Sequence, residues 1–360
     1  MSLKQIFQKA GVFVRWRDWG PGKIPVLLSL GFYIGLSDQL ISAGFLLRVG
    51  LFFVYALLHS ALGYVANDWG DRDLDRRQGK PNVFLNLSLG QGITALMMLF
   101  LLALMSGVPF IGQPGFVVLW LLWIFFALGY SLPPVRLKEK GTLGLSVSAV
   151  AQWTLPLLLT FAALGELGGW DMWALVAAYT ISGATLEVAH QRHDQLRDRE
   201  TGAGTLGARA STSKMDALYC IALLADKLAV GLVCLVVWLN LGQWEIFGLR
   251  FPVGLPLFLL YLLFLVLAFV EMARGEPGVV VEPYYTPGHS TTKLLHETLP
   301  NLGIPAYLLF LACLQNVYVW GLLLVFLFWR LVLGQADWLW PLRALYNRWR
   351  HPAPEQQQNQ

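Results

Sequence analysis

Two stretches of this sequence gather acidic side chains at one repeated spacing. The first is Asn67-Asp68-Trp69-Gly70-Asp71-Arg72-Asp73-Leu74-Asp75-Arg76-Arg77-Gln78-Gly79, and it follows a long apolar run. Asp68, Asp71 and Asp75 stand at i, i+3 and i+7, which puts three carboxylates on one face of a helix. The second, His190-Gln191-Arg192-His193-Asp194-Gln195-Leu196-Arg197-Asp198-Arg199-Glu200-Thr201-Gly202, repeats that spacing with Gln191, Asp194 and Asp198. In both copies an Arg follows the last Asp, and a Gly comes three residues after that Arg. Carboxylates at the end of a membrane helix are costly unless something cationic meets them. Two separated clusters with one grammar read as two halves of a single metal site.

The chemistry these residues permit is that of a hard cation and a phosphate. Mg²⁺ takes oxygen ligands and is usually held by a few carboxylates plus substrate phosphates. Arg and Lys nearby then clamp the remaining phosphate oxygens. In a membrane this suits a substrate with a diphosphate head at the mouth and a hydrocarbon tail among the helices. Metal and cations stabilise departing diphosphate, an allylic C–O bond ionises, and a nucleophile captures the cation. A calcium loop over Asp71-x-Asp73-x-Asp75 is excluded, because Arg76 and Asn82 stand where Gly and Glu are needed. A solvated loop of mixed charge would explain one cluster, but not two at one spacing on one side.

Other titratable residues carry less. His190 and His193 flank the second cluster as interfacial polar residues. Glu187 lies one turn above Gln191 inside an apolar run, so it is a candidate to face a cavity. Asp226 and Lys227 call for partners elsewhere in the bundle. Cys220, Cys234 and Cys313 sit in apolar runs without metal spacing, which excludes a disulfide framework and a zinc site.

The elements that must position these groups are membrane helices. The chain has 360 residues, 56% hydrophobic and only 13% charged, with mean hydropathy +0.56. A soluble chain carries roughly a quarter charged residues. The net charge of +4 comes from basic loops, with no basic stripe suited to nucleic acid. The 15 Trp suit interfacial belts. The fold class is all-α and polytopic, with apolar segments at 24–43, 45–66, 91–107, 115–132, 143–165, 170–189, 216–240, 253–273 and 301–333. That is about nine transmembrane helices around a central cavity, or ten if the last stretch divides near Asn316. Residues 1–20 read as a basic amphipathic helix on the membrane surface, without a signal-peptide cleavage site, broken by Gly20-Pro21-Gly22. Residues 21–335 form the membrane domain. Residues 336–360 are an interfacial tail with Trp338, Trp340, Arg343, Arg348, Trp349 and Arg350, then a disordered end.

Lys and Arg concentrate in the N-terminus and in the 67–90, 133–142 and 190–215 loops, while 107–114 and 166–170 carry none. The positive-inside rule puts the basic loops in the cytoplasm. Both Asp clusters and the basic turn at 130–141 then share one cytoplasmic mouth. The 275–300 loop, with Tyr284, Tyr285, Pro287, His289 and Lys293, follows an even span and can cap it.

At these residues the chain resembles the UbiA superfamily of intramembrane prenyltransferases. The family signature NDxxDxxxD stands intact as Asn67, Asp68, Asp71 and Asp75, and its second motif as Asp194 and Asp198. The run Tyr130-Ser131-Leu132-Pro133-Pro134-Val135-Arg136-Leu137-Lys138 resembles the family segment after the fourth helix, and Arg17-Asp18-Trp19 its start. The resemblance covers about residues 12–320. It departs from the pattern at Gln191, where many members have a third Asp, and at Lys80-Pro81-Asn82, where Arg-Pro is commoner.

The resemblance implies that Asp68, Asp71, Asp75, Asp194 and Asp198 bind Mg²⁺ and a polyprenyl diphosphate. Lys138, Lys80, Arg136, Tyr130 and Arg17 would contact the substrate, with Asn67 and Gln191 orienting it. The expected activity is transfer of the prenyl group to an acceptor, an aromatic or quinone precursor among the candidates, in a prokaryotic plasma membrane. Two rivals stay open. One is intramolecular capture of the cation, which makes a terpene cyclase. The other is a transporter or lipid-binding scaffold using the same carboxylates.

Overall fold

The computed structural model describes residues 3–38, 41–246, 248–274, 283–285 and 290–333. The expected tail at 336–360 and the loop residues Pro287 and His289 lie outside the described residues. A short helix α1 (Leu3–Phe13) leads to α2 (Trp16–Ser37), α3 (Ala43–Gln78), α4 (Leu89–Gly107) and α5 (Phe116–Ser131). Next come α6 (Thr142–Ala149), a π-helical turn (Val150–Thr154) and α7 (Leu155–Leu164), which run on as one rod. Then follow α8 (Trp170–His193), α9 (Gln195–Glu200), α10 (Leu206–Arg209) and α11 (Thr212–Leu241). A small antiparallel hairpin, β1 (Gln243–Ile246) and β2 (Leu249–Pro252), pairs Gln243 with Pro252 and Trp244 with Phe251. The chain continues through α12 (Leu255–Arg274), α13 (Thr291–Lys293), a π-helical segment (Leu294–Gly303), α14 (Ile304–Gln315) and α15 (Val319–Phe328).

Among the described residues, 7 helical segments are long and apolar enough to cross a membrane, and Phe116–Ser131 and Val319–Leu331 are shorter apolar helices. The final apolar stretch divides, as its length requires. Asn316 leaves helical geometry, its Nδ2 donates to the Ile41 carbonyl at 2.7 Å, and its Oδ1 accepts from Tyr318 N at 3.0 Å. That one side chain satisfies backbone groups which a helix break exposes.

The N-terminal break differs from the sequence expectation. It falls at Arg15, in the left-handed region at φ 54°, and α2 runs unbroken through Gly20-Pro21-Gly22. The reason combines a proline with a distant side chain. Pro25 has no N–H for the Pro21 carbonyl, and Arg330 Nη1 donates to that carbonyl at 3.1 Å instead. Gly20 lies under the Trp16 ring, where a Cβ would sit 2.7 Å from the indole.

Helices α2, α3, α5, the α6–α7 rod and α8 surround a cavity, and α11 and α14 pack outside α8 and α2. Outward apolar side chains such as Met98, Leu101 and Met105 on α4 are exposed, as in a chain whose solvent is lipid. Helix α3 has 36 residues, or about 54 Å at 1.5 Å per residue, against a hydrocarbon core of about 30 Å. Its C-terminal third therefore projects from the apolar layer. Ser42 caps its start by accepting from Phe45 N, and Gly79, at φ 64°, ends it after Arg76 and Arg77.

Where α3 emerges it crosses the end of α5 without a side chain between them. A Cβ on Gly70 would lie 2.4 Å from the Ser131 carbonyl oxygen. Gly70→Ala must push the two backbones apart and should cost about 1–3 kcal/mol. Thermal unfolding of the detergent-solubilised protein measures this, and a variant as stable as the parent would refute the close crossing.

Candidate active site

The projecting end of α3 presents a stripe of side chains to the cavity. Asn67, Asp71 and Asp75, at i, i+4 and i+8, line it, with Tyr64 and Ser60 further down the same helix. Asp68 is turned off this stripe. Its side chain is 2% exposed and pairs with Arg15 Nη1 at 2.7 Å. Burial lowers the affinity of the Arg15 guanidinium for its proton, but Asp68 and Asp18 more than reverse this and hold it above its ordinary value. The loop after α3 folds back on the same helix. Asn82 Nδ2 donates to the Asp68 carbonyl at 2.7 Å and to Asp75 Oδ2 at 2.8 Å, and Phe84 is buried against Trp69.

The basic turn after α5 supplies the cations. Lys138 Nζ donates to Asp71 Oδ2 at 2.5 Å and to Asn67 Oδ1 at 2.9 Å. Arg136 Nη2 donates to Asp71 Oδ1 at 3.2 Å, and its Nη1 to the Gly70 carbonyl at 2.6 Å. Burial pulls the Lys138 ammonium below its ordinary value, and Asp71 offsets part of that. Asn67 Oδ1 also accepts from Ser131 Oγ at 2.9 Å, which fixes the amide and leaves its Nδ2 donors for a ligand.

The second acidic stretch sits where α8 passes into α9. Asp198 Oδ2 accepts from Thr205 Oγ1 at 2.7 Å. Among the described residues, the basic groups nearest Asp194 are His190 Nε2 at 3.8 Å and Arg197 Nη1 at 3.9 Å. Gln191 Oε1 accepts from Gly207 N at 3.1 Å, so this side chain pins the following loop. That loop docks on the basic turn, with Gly141 N donating to the Gly204 carbonyl at 3.0 Å. Three segments distant in sequence thus meet at one end of the bundle.

The cavity behind them has a volume of about 360 Å³. It brings together Asn67, Asp71, Asp75, Lys80, Tyr130, Arg136, Lys138, Gln191, Asp194 and Asp198. Asp68 and Arg17 do not line it; Arg17 is exposed on the first turn of α2, and Arg15 takes the cavity position. The far end is apolar and aromatic, with Val26, Leu27, Phe52, Tyr55, Trp123 and Leu157. His59 there is neutral by its partners. The Trp120 indole can only donate, so His59 Nε2 accepts at 2.7 Å and Nδ1 holds the proton facing the Tyr55 carbonyl at 2.9 Å.

Among the described residues no three acidic, His or Cys groups are close enough to hold a metal alone. The donor set is nevertheless all oxygen, and Asp75 and Asp198 each keep one carboxylate oxygen without a hydrogen bond among the described residues. That suits a hard divalent cation completed by phosphate oxygens and water.

Sequence reasoning missed Arg15, Lys23, Tyr64, Gln152 and Thr205. Lys23 stood in plain view as a lone cation opening an apolar run, a position that calls for a partner. Asp226 and Lys227 found theirs outside the cavity. Lys227 Nζ donates to His296 Nε2 at 3.0 Å, His296 Nδ1 pairs closely with Asp226, and the Tyr284 hydroxyl donates to Asp226 at 3.0 Å. Tyr285 stacks on His193 with ring centroids 4.4 Å apart, so the described part of its loop reaches the second acidic stretch.

The family model described as the UbiA prenyltransferase family matches residues 25–276. No curated protein matches the sequence. Among solved structures, a UbiA homologue from Archaeoglobus fulgidus bound to GPP and Mg²⁺ is similar, with 16% identity, a TM-score of 0.55, and 84% of this chain and 99% of that one covered. The same homologue bound to DMAPP and Mg²⁺ gives 16% identity and a TM-score of 0.53, over 80% and 95%. A structure concerned with digeranylgeranylglyceryl phosphate synthase in membranes gives 14% identity and a TM-score of 0.51, over 88% and 98%. At such identities the likeness is one of fold. The family match and the 7 long apolar segments among the described residues make the chain an integral membrane protein.

The Arg15–Asp68 pair carries a stability prediction. Arg15→Ala leaves a buried carboxylate without its cation and should cost about 3 kcal/mol. Adding Asp68→Asn should restore most of that in thermal unfolding of the double variant. Strictly additive losses would mean that the two residues do not depend on each other.

Proposed function

The chain belongs to the UbiA prenyltransferase family, and on that premise we propose that it transfers a polyprenyl group from its diphosphate to an acceptor within the membrane, with Mg²⁺ as cofactor. One observation carries the reading. A single cavity has both acidic stretches and the basic turn at its mouth and an apolar, aromatic wall at its far end. A diphosphate fits the first and a hydrocarbon tail the second. The structures of the Archaeoglobus fulgidus homologue with DMAPP or GPP and Mg²⁺ support the same pairing of ligand and ion.

Asp71, Asp75, Asp194 and Asp198 would hold Mg²⁺ together with phosphate oxygens. When bound, the ion neutralises charge that builds on the departing diphosphate. Lys138, Arg136 and Lys80 add N–H donors to the same oxygens, and charge-assisted hydrogen bonds of this kind are the strong ones. Asn67, held by Ser131 and Lys138, offers its Nδ2 donors from a fixed position. Gln191 pins the loop after α9 through Gly207 N, and Asp68 anchors Arg15. The faces of Tyr64, Tyr130 and Trp123 line the path along which an allylic cation forms, and aromatic faces favour a cation. The apolar wall keeps water away, so that an acceptor captures the cation. The concentration of Lys and Arg in the loops at this end supports a cytoplasmic mouth.

Asp71→Asn should lower Mg²⁺-dependent diphosphate release from a labelled prenyl diphosphate by about 100-fold or more. Chelation of Mg²⁺ should do the same to the parent. Release at the parental rate in either case ends the assignment. Ala56→Phe fills the apolar end and should shift selectivity toward the shortest prenyl diphosphates by about tenfold. An unchanged ranking of tail lengths in a competition assay would show that the tail lies elsewhere.

A further inference from the structure

Between the charged mouth and the apolar end, the cavity carries a ring of polar side chains whose polar atoms have no assigned part in holding the diphosphate. Lys23 Nζ and the Tyr64 hydroxyl both donate to Gln152 Oε1 at 3.2 Å. Gln152 Nε2 donates to Glu187 Oε1 at 3.0 Å and to Ser148 Oγ at 2.8 Å. The amide is therefore saturated on both ends and its orientation is fixed. Gln152 sits in the π-helical turn Val150–Thr154, and such turns re-aim a side chain within an otherwise regular helix. Lys23 also lies over the Tyr64 ring, 5.2 Å from its centroid.

The ring has a definite depth and a definite charge. Tyr64 precedes Asp71 by seven residues on α3, and Glu187 precedes Asp194 by seven on α8. Both are therefore about 10 Å below the mouth carboxylates, at 1.5 Å per residue. A diphosphate held at the mouth puts its first carbons near this level. Lys23 and Glu187 bear opposite formal charges joined through Gln152, and the Arg15 guanidinium, 5.8 Å from the Tyr64 ring centroid, is already paired with Asp18 and Asp68, so the level carries no unpaired cation. Glu187 keeps its second carboxylate oxygen without a hydrogen bond among the described residues, and it lines the cavity.

We propose that Lys23, Tyr64, Gln152 and Glu187 form the acceptor subsite, that it takes an uncharged hydroxyl compound such as a phenol, hydroquinone or alcohol, and that Glu187 receives the hydroxyl proton. This rests on the prenyl-transfer reading and specifies its second substrate. In the step, the bond between the first prenyl carbon and the diphosphate oxygen breaks, and diphosphate leaves with the electron pair. The acceptor oxygen bonds to that carbon, and its proton passes to the Glu187 carboxylate and then to water. A carboxylate- or phosphate-bearing acceptor is disfavoured at this level, because Lys23 is already balanced and Glu187 repels the added charge.

The test uses the full-length protein in nanodiscs with Mg²⁺. Binding of para-cresol and para-hydroxybenzoate is measured on protein loaded with geranyl thiodiphosphate. The parent should prefer para-cresol by about tenfold, and Glu187→Gln, which leaves Lys23 unbalanced, should reverse the order. With geranyl diphosphate, Glu187→Gln should lower transfer to para-cresol by about 100-fold while diphosphate release to water stays within a few-fold of the parent. Preference of the parent for para-hydroxybenzoate, no difference between the probes, no binding of either, or parental transfer in Glu187→Gln would each overturn the proposal. So would a parallel loss of transfer and release, which would put Glu187 on the diphosphate. A parent that binds the probes in the stated order but releases no diphosphate contradicts the prenyl-transfer reading and with it the acceptor role, leaving only a binding site for neutral phenols.

Discussion

A carboxylate beside hydrocarbon must be met by a cation or by hydrogen-bond donors, and in this chain most of the partners come from another segment. Asp71 is met by Lys138 and Arg136 from the turn after α5, Asp68 by Arg15 from before α2, and Asp198 by Thr205 from the loop after α9. Each pairing satisfies a local need and also fixes a distance between elements. Exposed ion pairs contribute little to stability, but a carboxylate as buried as Asp68 or Asp71, at 2% and 16% exposure, loses heavily when its cation is removed. The arrangement of the mouth is thus dictated by where negative charge can be tolerated.

The backbone makes these meetings close. Gly70 lets α3 cross the end of α5, and Gly204 and Gly207 let their loop touch the Glu139 and Gln191 carbonyls, with Cβ positions that would fall 2.3 and 2.5 Å away. Below the mouth, the five cavity-lining elements offer Gln152 and its partners at one level and aromatic rings at the next. Polarity therefore falls in steps along the cavity, from carboxylates and cations, through a hydrogen-bonded ring, to a wall where even His59 carries no charge. An amphiphile finds its own orientation in such a gradient.

Much of this was legible in the residues. The two acidic stretches, the basic turn and their common side follow from spacing and from the distribution of Lys and Arg, because helical period and membrane sidedness are local rules. The cavity stripe was harder. The spacing of Asp68, Asp71 and Asp75 and that of Asn67, Asp71 and Asp75 mark nearly the same helix face. Arg15, from the break that precedes α2, separates them by pairing with Asp68. The start of α2 was hidden for a similar reason. Gly20-Pro21-Gly22 reads as a break until a guanidinium more than 300 positions later, Arg330, takes the Pro21 carbonyl. Lys23 and Gln152 are single polar residues in apolar runs, and no periodicity connects them. Their meaning lies in a contact across 129 positions.

The projection of α3 beyond the apolar layer has a kinetic side. With a hydrocarbon core of about 30 Å, a helix of that length would set the charged mouth at the depth of the lipid headgroups and the aromatic end among the acyl chains. On the proposed reading, a tailed substrate would arrive by diffusion within the leaflet, already upright, with no need to leave the bilayer. The quantity that governs saturation is the mole fraction of substrate in the surrounding lipid rather than its molarity in bulk water. Diluting the membrane with inert lipid would slow turnover at constant total substrate, whereas adding buffer would not.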